Sequence, residues 1–240
     1  MNRAKPGEWW DYAWSPITDF CARRFAARLL GRYAPTRFRP TYFWGRMYEP
    51  SKVKAPARIF LGPASDPFGD SMWDLVDPHR NNKVVGQWNT RQVWTDLVAQ
   101  IYQSAWHTHI LLTKNPANAF KIISKRGDKI PPNVWIGTSV ANQADADKRI
   151  PELLKLREFG AKVLFVSYEP MLSPVNLFHY GDLDWMIFGA QTGPGAKQPA
   201  FDWVLHAIGD AEHHKIPYFV KDNVAWDEAT HGPRPQEFPG

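Results

Sequence analysis

From residue 58 to residue 223 the chain repeats one alternation: a short, almost wholly apolar run that stops at polar residues, then a longer stretch with apolar positions three and four apart. The apolar runs are RIFLGPASD (Arg58 to Asp66), HILLTKNP (His109 to Pro116), NVWIGTSV (Asn133 to Val140), KVLFVSYEP (Lys162 to Pro170), LDWMIFGAQTGPG (Leu183 to Gly195) and PYFVKDN (Pro217 to Asn223). The helical stretches lie near Arg91 to Ser104, Ala117 to Lys125, Ala144 to Glu158 and Phe201 to His214. A strand that is apolar on both faces has to be covered on both, so strands of this kind alternating with helices predict a parallel sheet under helices. Six to seven such units in one chain predict an α/β fold of parallel (β/α) barrel or partial-barrel type rather than an open doubly wound sheet. The pattern fits one domain over residues 1–225, with residues 226–240 as an extended tail.

The N-terminal part is patterned differently. A polar arm, Met1 to Glu8, precedes WWDYAWSP, in which Trp10, Tyr12 and Trp14 share a face if the segment is extended and Pro16 ends it. Thr18 or Asp19 can cap a helix in which Cys21, Phe25 and Leu29, with Ala22, Ala26 and Leu30, form an apolar stripe. Arg24, Arg28 and Arg32 form a basic stripe on the other side, and a basic, aromatic connector runs from Arg37 to Lys54.

Each apolar run ends in groups that can carry chemistry. In a parallel barrel the C-terminal strand ends converge on one mouth, where such folds place their sites. Lys114, Glu169, Lys221 and Asp222 are the candidate catalytic groups: the lysines suit a carboxylate or phosphate, and the acids suit a ribose hydroxyl or an ammonium. Ser65, Asp66, Thr138, Gln191 and Thr192 are candidate cofactor-binding positions. GAQTGPG lacks the glycine spacing of a dinucleotide fingerprint or a P-loop. The histidines show no metal-ligand spacing, so no metal site is expected.

Composition narrows the classes. With 44% hydrophobic and 22% charged residues the chain is of ordinary globular make-up, and its 240 residues can bury a sizeable core. Twelve tryptophans bring large buried area but need partners for their indole N–H groups. A net charge of +5 and a pI near 9.3 favour an anionic partner. A single cysteine excludes an internal disulfide, and neither a leader-like opening nor a run of membrane-spanning length is present, so a soluble cytoplasmic protein is expected.

The segments WSPIT, CARRFAARL, EPSKVKAPARIFLGPASDPFGD, HILLTKNP, NVWIGTSVANQADADKRIPELL, LFVSYEPMLSPV, LDWMIFGAQTGPGA, IPYFVKDN and QEFP occur in one order over almost the whole chain. As an ordered set they resemble the phage gene-product thirty-seven/sixty-eight family, uncharacterised proteins similar to radical S-adenosylmethionine enzymes. The resemblance implies a radical-S-adenosylmethionine-like barrel of TIM-barrel type whose first strand–helix loop carries three cysteines. Three thiolates would hold three irons of a [4Fe–4S] cluster, leaving the fourth iron to bind S-adenosylmethionine. This chain departs from that pattern: between Thr18 and Ala22 only Asp19, Phe20 and Cys21 remain, with Phe20 at the last cysteine position and Cys21 where the family has tyrosine. Gln191 also stands where the family often has an acidic residue.

Two functions follow. The first is a radical-S-adenosylmethionine-like phage-family barrel of unknown substrate that lacks its cluster, so that no cofactor is expected for the chain as written. The second is a nucleic-acid-binding or phage accessory protein without catalysis. It would use Arg24, Arg28, Arg32, Arg37 and Arg39 together with Arg46, Lys52, Lys54 and Arg58, interleaved with Tyr42, Phe43, Trp44 and Tyr48.

Overall fold

The computed structural model describes residues 1–18, 40–62, 65–69, 72–77, 83–125, 127 and 129–240. Cys21 and the arginine stripe Arg24, Arg28 and Arg32, with Arg37 and Arg39, lie outside the described residues.

The strands are β1 (Asn2–Arg3), β2 (Tyr12–Trp14), β3 (Ile17–Thr18), β4 (Thr41–Phe43), β5 (Arg58–Leu61), β6 (Met72–Asp77), β7 (Lys83–Asn89), β8 (Thr108–Thr113), β9 (Val134–Val140), β10 (Val163–Tyr168), β11 (Trp185–Phe188) and β12 (Tyr218–Val220). The α-helices are α1 (Thr90–Gln103), α2 (Pro116–Ser124), α3 (Gln143–Leu154), α4 (Phe201–His213) and the short α5 (Glu228–His231). Eight strands form the main sheet in the order β1-β2-β5-β8-β9-β10-β11-β12. All its pairs are parallel except β1 with β2.

The strands therefore follow one another across the sheet in chain order, without, among the described residues, the reversal that marks a doubly wound sheet. The α/β expectation stands, but the closed barrel does not: among the described residues β1 and β12 are the two edges, and no ladder joins them. A physical reason lies in what occupies those edges. β1 runs antiparallel on β2, while the chain near Gln236 returns to β12 through an antiparallel bridge with Phe219. There the Val220 N–H donates to the Pro235 carbonyl at 2.9 Å and the Glu237 N–H to the Tyr218 carbonyl at 3.0 Å. The outer sides of β2 and β12 thus have partners other than each other.

Because successive side chains of a strand point to opposite faces, the apolar runs divide into two clusters. Ile59, Leu61, Leu111, Ile136, Leu164, Val166, Met186 and Val220 belong to one, which includes Val93, Leu97, Ile123, Ile150 and Val204 from the four long helices. Phe60, Ile110, Phe165, Trp185, Ile187 and Phe219 form the other, completed by Trp9 and edged by Trp10, Trp135 and Phe238. This second face is an aromatic stack. Trp185 lies 5.4 Å from Phe165, 5.7 Å from Trp135 and 5.6 Å from Phe238, ring centre to ring centre. Gly137, opposite Phe165 in the β9–β10 ladder, lets that ring lie down: a Cβ there would sit 2.4 Å from two ring carbons.

The polar strand ends have a structural duty as well. Asn115 and Asn142 accept hydrogen bonds from the Asn118 and Asp145 amides, capping α2 and α3. Asn89 and Gln92 form a reciprocal capping box on α1.

A second sheet, β3-β4-β6-β7, lies outside the repeating pattern. Residues 37–54 read from sequence as a connector; in the structure Thr41–Phe43 form β4, paired with β3 and β6. β2 also starts later than expected, at Tyr12, so Trp10 and Trp14 do not share a face: Trp14 joins the helix-side cluster and Trp10 the aromatic one. The demand for indole partners is met at Trp14, Trp106, Trp185 and Trp226, each of which donates to a backbone carbonyl.

Candidate functional site at the ends of strands β10 to β12

Glu169 follows β10, Gly189 follows β11 and Lys221 follows β12, on three neighbouring parallel strands. The Lys221 Nζ donates to Glu169 Oε1 at 2.7 Å, so this pair reaches across the intervening strand end. Gly189 is what permits the crossing, because a Cβ on it would stand 2.8 Å from the Glu169 carboxyl carbon. The strand ends are tied by backbone and amide bonds. The Lys221 N–H donates to the Phe188 carbonyl at 2.9 Å, and the Asn223 side chain both accepts from the Ala190 N–H and donates to the Ala190 carbonyl. The ion pair is therefore held by a fixed frame, with the Lys221 side chain 13% and the Glu169 side chain 23% exposed.

The N-terminal segment brings in groups that the sequence pattern did not single out. Gly7 has φ +84°, and a Cβ there would fall 1.8 Å from Asp222 Oδ2, so the segment passes against the end of β12 in a conformation suited to glycine. The next residue, Glu8, has a buried carboxylate oxygen with no hydrogen-bond partner among the described residues. Burial raises its pKa above the ordinary value; Lys221 opposes this, whereas Glu169 and Asp222 add to it. Trp10 faces the same lysine, with the Lys221 ammonium 5.9 Å from its ring centre. Glu8 and Trp10 also line an open cleft of about 540 Å³, together with Arg3, Lys5, Tyr12, Val53 and residues 55–57. The tryptophan doublet following a carboxylate, EWW, was the available sequence signal, but a polar arm gives no reason to expect a return to β12.

The other candidates are placed as follows. Asp222 is exposed, accepts from Gln236 Nε2 at 3.0 Å and lies 3.9 Å from Arg234 Nε. Asp66 is buried, and its carboxylate accepts from Thr113 Oγ1 at 2.7 Å, the Lys114 N–H at 2.8 Å and the Phe68 N–H at 2.9 Å. Burial raises the Asp66 pKa, and those three donors oppose the rise. Asp66 thus clasps the β5 and β8 strand ends together. Ser65 is buried against Gly62, and Thr138 donates across the ladder to the Thr113 carbonyl at 2.8 Å. Lys114 gives its backbone N–H to Asp66 while its residue surface is exposed. Gln191 accepts from the Lys197 N–H at 3.3 Å within its own loop, and Thr192 is exposed. The structure brings together Glu169, Lys221 and Asp222, adds Glu8 and Trp10, and assigns Asp66 and Thr138 to holding strands.

The model of the family described as Protein of unknown function (DUF5131) matches residues 8–237, a span that includes Glu8, Trp10, Glu169, Lys221 and Asp222. The chain belongs to this family. Searches of the curated proteins and of the solved structures found no match to it. The member of DUF5131 described here does not carry a donor set for the cluster implied by the radical-S-adenosylmethionine resemblance. A three-thiolate site needs three cysteines, and the chain has one. Among the described residues no group of three or more His, Cys, Asp or Glu side chains could hold a metal ion. No helix among the described residues is long and apolar enough to cross a membrane.

Proposed function

We propose that this DUF5131 protein is a radical-S-adenosylmethionine-like α/β protein that has lost its cluster and binds a small molecule carrying an α-amino-acid group. The observation behind this reading is the pairing of an already oriented ammonium, Lys221 on Glu169, with the buried oxygen of Glu8 beside it, which has no partner among the described residues. An ammonium has three donors and Glu169 occupies one, so Lys221 can still donate to a ligand carboxylate. Glu8 supplies the acceptor that a ligand ammonium needs, and the face of Trp10 gives that cation a second favourable surface. The ordered succession of parallel strands supports the barrel-like ancestry, and the lone cysteine supports loss of the cluster. S-adenosylmethionine and free methionine are the first ligands to test, since both carry the amino-acid group.

The experiment is calorimetry of the purified chain with each compound, before and after anaerobic incubation with iron and sulfide. Binding before reconstitution, lost in Lys221→Ala and Glu169→Ala while thermal unfolding stays cooperative, is the expected result. Stoichiometric iron with binding only afterwards would return the protein to cluster chemistry and overturn the proposal. No heat with either compound would overturn the ligand class.

A further inference from the structure

Among the described residues five aromatic side chains are exposed, and four of them, Trp44, Tyr48, Tyr102 and Trp106, lie on the connector between β4 and β5 or at the end of α1. Contacts tie these parts into one surface. Trp44 and Tyr48 meet edge to face at 5.6 Å and, with Gln100 and Gln103 of α1, line a hollow of about 80 Å³. Gln100 Nε2 donates to Ser51 Oγ at 2.7 Å, and Trp106 Nε1 donates to the Val53 carbonyl at 3.0 Å. Trp106 is thereby held beside Lys52 and Lys54, which flank Val53 and are exposed.

The acids of this region are turned to internal partners. Glu49 accepts from the Met1 ammonium at 2.9 Å and from Arg46 Nε at 3.2 Å, and Asp96 accepts from the Tyr42 hydroxyl at 2.6 Å. What faces outward is aromatic and cationic. The rest of the connector's expected interface is used elsewhere: Tyr42 is buried, and Arg58 pairs with Asp11 and covers the Phe238 ring at 3.8 Å.

We infer that this strip, Trp44, Tyr48, Trp106, Lys52 and Lys54, is a docking surface for a single-stranded polynucleotide. Every base has a face that can stack on an aromatic ring, and lysines at intervals meet the phosphates between stacked bases. A duplex hides its base faces, so the strip discriminates against it. A protein partner would use the same aromatics without needing the cations.

The test is fluorescence anisotropy of a labelled short oligothymidylate, titrated with the full chain over a range of salt, against a duplex of the same length. Binding of the single strand in preference to the duplex is expected. Joint Trp44→Ala and Tyr48→Ala substitution should weaken it by roughly tenfold or more. Lys52→Ala with Lys54→Ala should lower the slope of log affinity against log salt by about 1.4, from roughly 0.7 per phosphate contact in single strands. These side chains are exposed, so unchanged thermal unfolding serves as the folding control. Absent binding at low salt, equal affinity for the duplex, or unchanged affinity in the aromatic variants would overturn the inference, the last placing the strand away from these rings.

Discussion

Gly137→Ala tests whether the aromatic face is as tightly filled as its geometry implies. The added methyl would sit 2.4 Å from Cε2 and Cζ of Phe165, whereas carbon atoms pack best at about 3.5–4.0 Å. The ring would have to withdraw by roughly 1 Å or more to restore that spacing. It has little room: Phe165 is fully buried, with Trp9 at 6.2 Å and Trp185 at 5.4 Å between ring centres. Overpacking of this kind costs about 1–3 kcal/mol. Alanine recovers about 0.5–1 kcal/mol of backbone entropy relative to glycine in a strand. Taking the middle of each range, the net effect is a destabilisation of about 1.3 kcal/mol. For a chain of this length that lowers the Tm by roughly 3–5 °C. Calorimetry or urea titration measures it, and Phe165→Leu supplies the second arm, since leucine lacks Cε2 and Cζ, the two nearest of the three clashing ring atoms. The double variant should be more stable than the sum of the singles predicts, with a coupling of about 1 kcal/mol or more. A Gly137→Ala protein as stable as the parent, or strictly additive effects, would refute the argument from close packing.

Asp66→Asn should destabilise the fold by about 1–3 kcal/mol, because the amide nitrogen would be set against a donor, such as the Lys114 N–H, that the carboxylate now accepts from; urea unfolding reads the change. Glu8→Gln should become more stable relative to the parent as the pH rises above the ordinary glutamate value of 4.5. The sign follows from linkage: with a folded-state pKa raised by burial, the unfolded chain releases its proton first, so ionisation of Glu8 costs stability until its folded pKa is passed. The stability difference between variant and parent, measured across pH, should therefore be flat in acid and grow on going to neutrality. A flat difference throughout would mean that the Glu8 carboxylate is not held in a dry site.

Much of the architecture was legible because burial on both faces leaves a plain record. Val134–Val140, Val163–Tyr168 and Trp185–Phe188 are strands within the apolar runs expected to form them. α1, α2 and α4 also lie within a residue or so of their expected bounds. β4, β6 and β7 were not legible, since their ladder partners lie in each other and their strand character depends on that pairing. Polar strand ends were legible as a set but not individually. Thr138 and Asp66 look like Glu169 and Lys221 in sequence, yet the first two bond to neighbouring strand ends and the last two reach over Gly189 to each other.

The sequence by itself determined the parallel α/β class, its helices and its lack of three cluster thiolates, because hydrophobic period and residue type are local properties. Tertiary structure alone decided that no ladder joins β1 to β12 among the described residues, that Gly7 and Glu8 return to the end of β12, and that Trp44 and Tyr48 line a hollow with Gln100 and Gln103 of α1. Each of these depends on contacts between residues far apart along the chain, and neither period nor propensity encodes which distant edge, cation or aromatic ring a residue will meet.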